Sequence, residues 1–322
     1  MIKAVCLFSG GLDSIVASKL IQSQGIDVRL VNFTTPFFLP KKAKDMARQL
    51  GMKLKVVDVT KDYLKILRNP KHGYGSDLNP CIDCKIMMIK KAKEYARSIG
   101  AKFVFTGEVL GERPMSQNKN ALEMIEKDAG MKGKLLRPLS AKLLPATEAE
   151  KWVDKSKLLD IQGRSRERQF GLARKFKVNY PTPSGGCLLT NKEYAIKAKD
   201  MLENNKKISS DDIRMLKIGR HFRFGKNKMI VGRDRFDNKE LLGIKSKGDY
   251  AFEVSGVPSP VTILQGPKTK KAIDAAAKLT AFYSDAKEDQ VKVRYGKKFS
   301  KTTSVRKMEK EEVESLRIIS FS

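Results

Sequence analysis

The first hundred residues alternate short apolar runs with segments whose apolar positions recur every three or four residues. Met1–Phe8 is a short apolar run bounded by Ser and Gly, which is typical of a buried parallel strand. Ile15–Gln24 has helical spacing and ends at Gly25, and Val28–Phe33 is a second apolar run. The pattern therefore predicts a strand, a helix and a second strand, with the loop Ser9–Ser14 between the first two.

The same alternation continues beyond the second strand. It predicts helices over Lys41–Leu50 and Cys84–Ser98 and strands over Leu54–Val59 and Lys102–Phe105. Strands that alternate with helices indicate a parallel, doubly wound α/β sheet. Farther along the chain, Trp152–Phe176 is basic and is predicted to be helical.

The pattern changes in the C-terminal part of the chain. Leu216–Ile244 alternates apolar and polar positions between turn residues, which is typical of short antiparallel strands. Val261–Leu264 and Gln290–Tyr295 add two predicted strands, and the Ala-rich segment Lys270–Tyr283 is a predicted helix. This mixture indicates an α+β domain that is smaller than the first.

The length of the chain, 322 residues, is enough for two such domains. We place an α/β domain over residues 1–190 and the α+β domain over residues 208–322. Hydrophobic residues make up 41%, which excludes a disordered chain. No segment approaches the roughly 20 apolar residues of a membrane span. The N-terminus is a strand that carries a ligand loop and not a signal peptide, so we expect a cytoplasmic protein without a membrane partner.

The charge of the chain is strongly unbalanced, with Lys+Arg 65 against Asp+Glu 36 and a formal net charge of +29. Solubility requires far less. The excess indicates a large polyanionic partner, and nucleic acid is the first candidate. The alternative is a generally basic proteome, in which lysine simply coats the helices.

The loop after the first strand, Ser9–Ser14 (SGGLDS), has the composition of an anion site. Its two glycines permit a tight turn and a close ligand, and the following helix presents N–H groups and partial positive charge. Ser9 and Ser14 can add hydroxyl donors. Asp13 would repel phosphate, so we expect it to cap the helix or to hold a Mg²⁺ that bridges the phosphates. The plainer alternative is a strand-to-helix turn with an N-cap.

SGGLDS resembles the SGGxDS signature of the PP-loop ATP pyrophosphatases, and it lacks the Lys that ends a Walker loop. The resemblance implies a Rossmann-like fold and cleavage of ATP to AMP and pyrophosphate, with AMP attached to a substrate oxygen. Ligands of parallel sheets lie at the carboxyl ends of the strands, so the loop should share a crevice with the ends of the second and fourth strands. The predicted nucleotide-binding residues are Ser9, Gly10, Gly11, Asp13, Ser14, Phe33 and Gly107.

Three of the four cysteines form a pattern of their own. Cys81 and Cys84 are a C-x-x-C at the start of a predicted helix, where both thiols face the same side. The helix N-terminus and Lys85 should lower the pKa of these thiols. Cys187 follows in a Pro- and Gly-rich loop, whereas Cys6 lies in the first strand as a small buried hydrophobe.

Cys81, Cys84 and Cys187 are compatible with several kinds of site. A [4Fe–4S] cluster held by three thiolates would leave one iron open for exogenous sulfide. In a persulfide relay, Cys84 and Cys187 would alternate as sulfur carrier and resolving thiol. Structural zinc needs a fourth ligand, and the chain has only 2 histidines. Three unrelated buried thiols are the remaining alternative.

Together, SGGLDS, the segment NPCIDCK and the Gly-Gly-Cys loop resemble the tRNA thiouridylases, over about residues 1 to 190. The resemblance implies adenylation of uracil O2 or O4 in tRNA and replacement of that oxygen by sulfur from sulfide or a sulfur-carrier protein. Cys84 and Cys187 match the cysteines of the 2-thiouridylase branch, and Cys81 matches relatives with a cluster on three cysteines. It therefore implies catalytic roles for Asp13, Cys84 and Cys187, and as cofactors ATP, Mg²⁺ and a [4Fe–4S] cluster on Cys81, Cys84 and Cys187. The modified uridine and a homodimer are left open.

The C-terminal part is similar to the RNA-binding domain of NFACT proteins, over about residues 208 to 322. The similarity rests on Leu216–Arg223, Ile230–Arg233 and Asp237-Asn238. It implies tRNA docking, with Phe222 available to stack on a base. The arginines assigned to docking are Arg220, Arg223, Arg233 and Arg235. The alternative is that they only solubilise a small β-rich domain.

Two rival functions fit the same features. A PP-loop ligase acting on a small molecule would need no tRNA and would leave the net charge unexplained. A non-catalytic RNA-binding factor with a relic nucleotide site would bind RNA without forming AMP.

Overall fold

The computed structural model describes residues 1–182 and 186–318. The chain divides into two compact units, Met1–Cys187 and Leu188–Ser322. Residues 191–207, which the sequence left between the two domains, fall in the second unit, as do residues 188–190 from the end of the predicted first domain. The functional ranges 1–190 and 208–322 remain predictions. Within the residues described, no helix has the length and apolar character needed to cross a membrane.

The first unit is an α/β domain. Its elements are β1 (Lys3–Leu7), α1 (Leu12–Gln22), β2 (Asp27–Thr34), α2 (Lys41–Gln49), β3 (Leu54–Asp58), α3 (Thr60–Arg68), α4 (Cys81–Ser98), β4 (Phe103–Thr106), α5 (Lys119–Asp128), β5 (Leu135–Leu136) and α6 (Glu167–Lys175). The strands pair in parallel in the order β3-β2-β1-β4-β5. The predicted Rossmann-like class is confirmed, and the carboxyl ends of β2, β1 and β4 lie side by side.

The start of α1 is fixed by the core of this unit. Ala4, Val5 and Cys6 of β1 are buried, as is Ile15 of α1. The Ser18 hydroxyl donates a hydrogen bond to Cys6 Sγ at 3.2 Å, so Cys6 is a core residue, as predicted. A fully buried Ile contributes roughly 1.5–3 kcal/mol to stability. Burial of α1 therefore anchors the loop that precedes it.

The long helix predicted over Trp152–Phe176 is wrong, since only its end, α6, is α-helical. Before α6 the chain forms short 3₁₀ turns at Glu148–Trp152 and Lys155–Lys157. The Asp154 carboxylate accepts a hydrogen bond from the Ser156 N–H at 3.0 Å, which starts a new turn there. Gly163 has φ +83°, which no continuous α-helix allows.

The second unit is built around an antiparallel sheet. Its elements are α7 (Lys192–Asn204), α8 (Ser210–Met215), β6 (Arg220–Phe224), β7 (Asn227–Val231), α9 (Arg235–Ile244), β8 (Tyr250–Val254), β9 (Thr262–Gln265), α10 (Lys270–Phe282), β10 (Val291–Gly296), β11 (Lys301–Val305) and α11 (Lys310–Leu316). The strand order is β11-β10-β8-β9-β7-β6. This agrees with the predicted α+β class.

Two helices cover opposite faces of this sheet. Leu279 of α10 shares a buried cluster with Leu264 of β9, whereas Leu241 of α9 shares another with Ile263. Neighbouring residues of a strand point to opposite faces, so α10 and α9 lie on different sides.

The strands predicted across Leu216–Ile244 are correct only in part, because Arg235–Ile244 is helix α9. The Asp234 side chain accepts a hydrogen bond from the Asp237 N–H at 2.9 Å and caps the helix. Leu241 and Ile244 are three residues apart and are buried on the same side. That spacing fits a helix better than a strand.

Candidate active site

The loop Ser9–Ser14 lies between the end of β1 and the first turn of α1. The Gly11 N–H donates to Ser9 Oγ at 3.2 Å, and the Ser14 hydroxyl donates to the Gly11 carbonyl at 2.9 Å. Gly11 is the N-cap residue and has no side chain with which to cap the helix. The first-turn N–H groups therefore have no side-chain cap, which is the arrangement that binds phosphate at a helix start.

Two of the predicted glycines lie where a side chain would collide with backbone. A Cβ on Gly10, which has φ +73°, would lie 2.9 Å from Ala43 Cα in the first turn of α2. A Cβ on Gly107 would lie 2.6 Å from the Asp13 carbonyl carbon and from Ser14 N. The loop is thus held between α2 and the segment that follows β4, and only glycine allows either contact.

Asp13 is an acid in an unfavourable place. Burial and, to a smaller extent, the negative charge of Glu112 raise its pKa to about 6, although Arg166 opposes the shift. Asp13 Oδ1 is buried without a hydrogen-bond partner. Gln169 of α6 is fully buried close to this carboxylate, and neither atom of its amide group has a partner. A carboxylate short of partners beside a phosphate-type loop fits a Mg²⁺ site, because Mg²⁺ is bound through one or two carboxylates plus phosphate oxygens.

Cations surround the mouth of this loop. Arg166 forms an ion pair with Glu112, with Nε donating to Oε1 at 3.1 Å. Lys42 is partly buried, and its pKa is lowered by burial and then by the charge of Arg166. Lys42 and Arg166 are residues that the sequence did not single out for the nucleotide site.

Phe33 lies near the end of β2, and its part in nucleotide binding stays a prediction. Its side chain is only 4% exposed, so at the end of β2 only its backbone remains for a ligand. The preceding residue, Asn32, donates from Nδ2 to the Phe8 carbonyl at 2.8 Å and leaves Oδ1 buried without a partner. A polar residue just before the end of a predicted strand is the signal that would have identified Asn32.

A buried charge cluster follows β4 directly. The Lys85 ammonium donates to Glu108 Oε1 at 2.5 Å, and Arg137 Nε donates to Glu108 Oε2 at 3.0 Å. The Thr106 hydroxyl donates to Oε2 at 3.1 Å, and Arg137 also pairs with Glu126. Burial alone would raise the pKa of Glu108, but Lys85 and Arg137 outweigh it and hold the pKa at about 2.

The C-x-x-C begins helix α4. Burial raises the pKa of the Cys84 thiol well above its usual value, negative charge on Cys81 and Cys187 raises it further, and Lys85 opposes the shift. The predicted lowering is therefore wrong for Cys84, because burial exceeds the effect of a lysine whose charge is shared with Glu108. The three thiols lie within electrostatic range of one another. Across residues 1–182 and 186–318, no three His, Cys, Asp or Glu side chains are arranged as metal ligands.

The cysteine helix and the nucleotide loop meet at the end of β4. Lys85, next to Cys84 on α4, binds Glu108. The preceding residue, Gly107, lies against the backbone of Asp13 and Ser14. The structure therefore brings the SGGLDS loop and the C-x-x-C to the same three-residue segment, Thr106–Glu108.

A cavity of about 560 Å³ lies apart from the loop, between α5 and the short strand β5. Its apolar lining includes Leu122, Leu135 and Leu144. Arg137 also lines it and links it to Glu108. None of the predicted site residues is among its lining residues.

In the second unit, the predicted stacking residue Phe222 is fully buried and cannot meet a base. It lies on β6 in the cluster beneath α10. Arg223 is bound by Asp200 at 2.8 and 2.6 Å, and Arg220 lies over the Tyr283 ring at 4.9 Å from its centroid. Arg220 and Arg223 therefore already have partners within the second unit.

The other two arginines assigned to RNA are more open. Arg233 is paired with Asp237 at 2.6 Å, and about half of its side chain is exposed. Arg235 is exposed at the start of α9. Of the four docking arginines, these two remain accessible to a polyanion.

Residues 2–143 match the family model described as Thiamine biosynthesis protein (ThiI), and residues 219–317 match that of the NFACT protein RNA binding domain. A "Probable tRNA sulfurtransferase" of Ureaplasma parvum serovar 3 is 34% identical over 134 residues, which cover 38% of this chain and 33% of that protein. The protein of that name from Thermoanaerobacter sp. is 29% identical over 168 residues, which cover 49% of this chain and 39% of that protein. A solved 4-thiouridine synthetase–RNA complex with bound ATP aligns at 22% identity and a TM-score of 0.36, over 54% of this chain and 51% of that chain.

The chain spans only about 33–39% of the length of these two curated relatives. The first match contains the parallel sheet, SGGLDS and the C-x-x-C, and it ends before α6. The second contains the six strands of the antiparallel sheet. Residues 2–143 are therefore similar to the ThiI family, and residues 219–317 are similar to the NFACT RNA-binding domain.

Proposed function

We propose that the protein is an ATP-dependent tRNA sulfurtransferase, which thiolates a uridine at O2 or O4. The observation that carries the proposal is the meeting of the SGGLDS loop and the C-x-x-C at Thr106–Glu108. Thiolation needs an activated oxygen and a sulfur nucleophile at the same carbon, so the two sites must be neighbours. The NFACT-type domain and the net charge of +29 supply the reason for an RNA substrate.

The first step would be adenylation. The uracil carbonyl oxygen attacks the α-phosphorus of ATP, and pyrophosphate leaves. The N–H groups at the start of α1 bind phosphate oxygens, and Lys42 and Arg166 balance the charge of the leaving pyrophosphate. Asp13 would hold Mg²⁺, and a bound Mg²⁺ would neutralise part of the charge of the phosphates.

The second step would replace AMP by sulfur. A nucleophilic sulfur attacks the activated carbon, and AMP leaves with the former uracil oxygen. With a persulfide on one of Cys84 and Cys187, the other thiolate attacks the protein-bound sulfur, forms a disulfide and releases the thiouridine. A dithiol reductant must then return the pair to thiols, and a sulfur-carrier protein must reload the persulfide.

The [4Fe–4S] cluster on Cys81, Cys84 and Cys187 stays a prediction. The described geometry has no preformed set of three ligands, so no step here uses the cluster. Anaerobic purification followed by iron and acid-labile sulfide analysis separates the two routes. Close to four irons per chain would favour the cluster, and absence of iron in a thiolating protein would favour the relay.

The test incubates anaerobically purified protein with ATP, Mg²⁺ and unmodified tRNA, in one arm with sulfide and in the other with a persulfide-bearing sulfur-carrier protein and a dithiol reductant. The second arm is needed because thiols cannot form a persulfide from sulfide without an oxidant. We expect AMP formation and a nucleoside with sulfur in place of oxygen, detected by mass spectrometry after digestion. Its retention time separates 2-thiouridine from 4-thiouridine. AMP formation with a small acceptor but not with tRNA would favour the ligase. RNA binding without AMP would favour the non-catalytic factor.

The Cys187→Ser variant separates adenylation from sulfur insertion. We expect it to form AMP from ATP in the presence of tRNA at the normal initial rate, but to insert no sulfur. Full thiolation by this variant would contradict both sulfur routes. The cytoplasmic location and a homodimer remain predictions.

A further inference from the structure

The first turn of α9 exposes a large aromatic side chain. Phe236 is 83% exposed, about twice as much as Tyr74 at 40% or Trp152 at 39%. It directly follows Arg235, which is also exposed. Folding does not require an aromatic ring at this position, because the ring covers no core surface.

Exposed cations flank this ring, and the exposed acid Glu240, which pairs with Arg214 at 3.9 Å, lies one helical turn after it. Arg235 precedes it, and Lys239 lies one helical turn later on the same side of α9. Within the part of the chain that the structure describes, neither side chain has a carboxylate partner. Arg233 adds a third cation, and its Nη2 donates to the Lys217 carbonyl at 3.4 Å, which brings the Lys217 segment to the same place.

The backbone that presents the ring is held rigidly. Asp237 accepts hydrogen bonds from Gly219 N at 3.2 Å and from Arg233 N at 3.1 Å. A Cβ on Gly232 would lie 2.1 Å from Asn238 Oδ1, so the turn before α9 is closely packed. Asn238 Oδ1 in turn accepts from Val261 N at 2.8 Å. A ring on a fixed turn loses little freedom when it binds, which favours binding.

We propose that Phe236 is a stacking platform for an unpaired base of RNA, with Arg235 and Lys239 on the flanking phosphates. Aromatic rings stack on bases that are not already stacked, and cations beside the ring follow the backbone. Charge complementarity and the NFACT-type match of residues 219–317 select RNA over a protein or a lipid surface. The inference rests on the RNA-binding domain and not on thiolation.

The first test measures the affinity of the full chain for single-stranded oligo(U) and for a perfect RNA duplex. Phe236→Ala should weaken oligo(U) binding about tenfold, the order expected for one lost base stack, and leave duplex binding unchanged. Phe236→Tyr should restore binding. The control is Leu242→Ala on the same helix, where Leu242 is 38% exposed, and it should stay within about twofold of the wild type.

The second test observes the stack directly. Trp152 is the one tryptophan of the chain. Phe236→Trp in a Trp152→Phe background therefore places the sole indole at the platform. Oligo(U) should quench its fluorescence, and the duplex should not. Arg235→Ala should reduce the salt dependence of oligo(U) binding by about 0.7 in the log–log slope, the value for one phosphate contact on a single strand.

Several outcomes would overturn the proposal. Wild-type oligo(U) affinity in Phe236→Ala would do so, as would an equal loss for oligo(U) and duplex, which would mean contact with phosphates only. Quenching by lipid vesicles but not by oligo(U) would assign the ring to a membrane surface. A failure of thiolation would not affect these measurements, because oligo(U) binding requires neither ATP nor the cysteines.

Discussion

Two carboxylates close to Gly107 have opposite pKa shifts, because the fold gives them different partners. Asp13 is partly buried, has one oxygen without a partner, and has its pKa raised to about 6. Glu108 is more deeply buried, is bound by Lys85 and Arg137, and has its pKa lowered to about 2.

The difference separates a structural acid from the acid that we propose to hold Mg²⁺. Burial opposes ionisation in both cases, and the outcome depends on whether cations of the protein are placed to match the charge. Glu108 has two such cations and needs no other partner. Among the residues that the structure describes, Asp13 has no such cation bound to it, so binding of a metal ion would stabilise its charged form. A carboxylate in this situation favours the binding of a cationic cofactor.

A substitution of Glu108 should have the largest effect on stability and tests most directly whether this acid is structural. Glu108→Gln would leave Lys85 as a buried cation without a carboxylate and Arg137 with Glu126 alone. We therefore expect a loss of about 3–5 kcal/mol in the free energy of unfolding. Urea denaturation at pH 7 measures it. The control Glu94→Gln replaces an exposed acid on α4 and should change stability by less than about 0.5 kcal/mol. A small effect of Glu108→Gln would mean that the pair is not needed for folding.

Asp13→Asn should have the reverse profile. The amide cannot hold Mg²⁺ as a carboxylate does, so AMP formation should fall by about 100-fold or more. Stability of the metal-free protein at pH 7 should not fall, because the change removes a poorly matched charge. Pyrophosphate release and urea denaturation are measured on the same preparation. A variant that keeps its activity would remove Asp13 from the mechanism.

Gly107→Ala tests the contact between the two regions. Its Cβ would lie 2.6 Å from backbone atoms of Asp13 and Ser14, so the loop must shift. We expect a loss of about 1–3 kcal/mol in stability and weaker ATP binding, measured by calorimetry. The control is Gly171→Ala on α6, where nothing lies within 4 Å of the new Cβ. That helix position should gain about 0.5–1 kcal/mol.

The smallest expected effect is the dependence of stability on pH. The folded pKa of Asp13, about 6, lies above its ordinary value of 3.8, so its contribution to stability is full below about pH 4 and is lost as the pH rises through 6. Glu108, with a pKa of about 2 against 4.5, contributes above about pH 4.5 and loses that contribution as the pH falls toward 2. The stability difference between Asp13→Asn and wild type should therefore grow from near zero at pH 4 to on the order of 1 kcal/mol at pH 7. A difference that is constant across this range would contradict the raised pKa.

The parts of the fold that could be predicted are those that depend on patterns within one continuous segment of the chain. Alternating apolar runs predicted the parallel sheet, and SGGLDS and the C-x-x-C are local motifs. The failures were local patterns that tertiary contacts overrode. Phe222 looked like an accessible aromatic among arginines, but alternation does not tell which face of β6 meets α10. In Arg235–Ile244, the side chain of Asp234 caps the first turn and stabilises a helix where strands were predicted.

The contacts at the site that the sequence did not predict join distant segments. Glu108 is 23 residues from Lys85 and 29 from Arg137, and Arg166 is 54 from Glu112. Gln169 lies on a helix beyond the range that matches the ThiI family. No spacing rule connects such residues, because only the folded sheet brings their segments together.

The raised pKa of Cys84 has a practical consequence for handling the protein. Oxidants and alkylating agents attack thiolates, and a thiol with a raised pKa is almost entirely protonated near neutral pH. Brief exposure to air or hydrogen peroxide should therefore spare Cys84, and intact-protein mass spectra should show little sulfinic or sulfonic acid there. The fold would thus keep the thiol of Cys84, the proposed sulfur carrier, unreactive during storage.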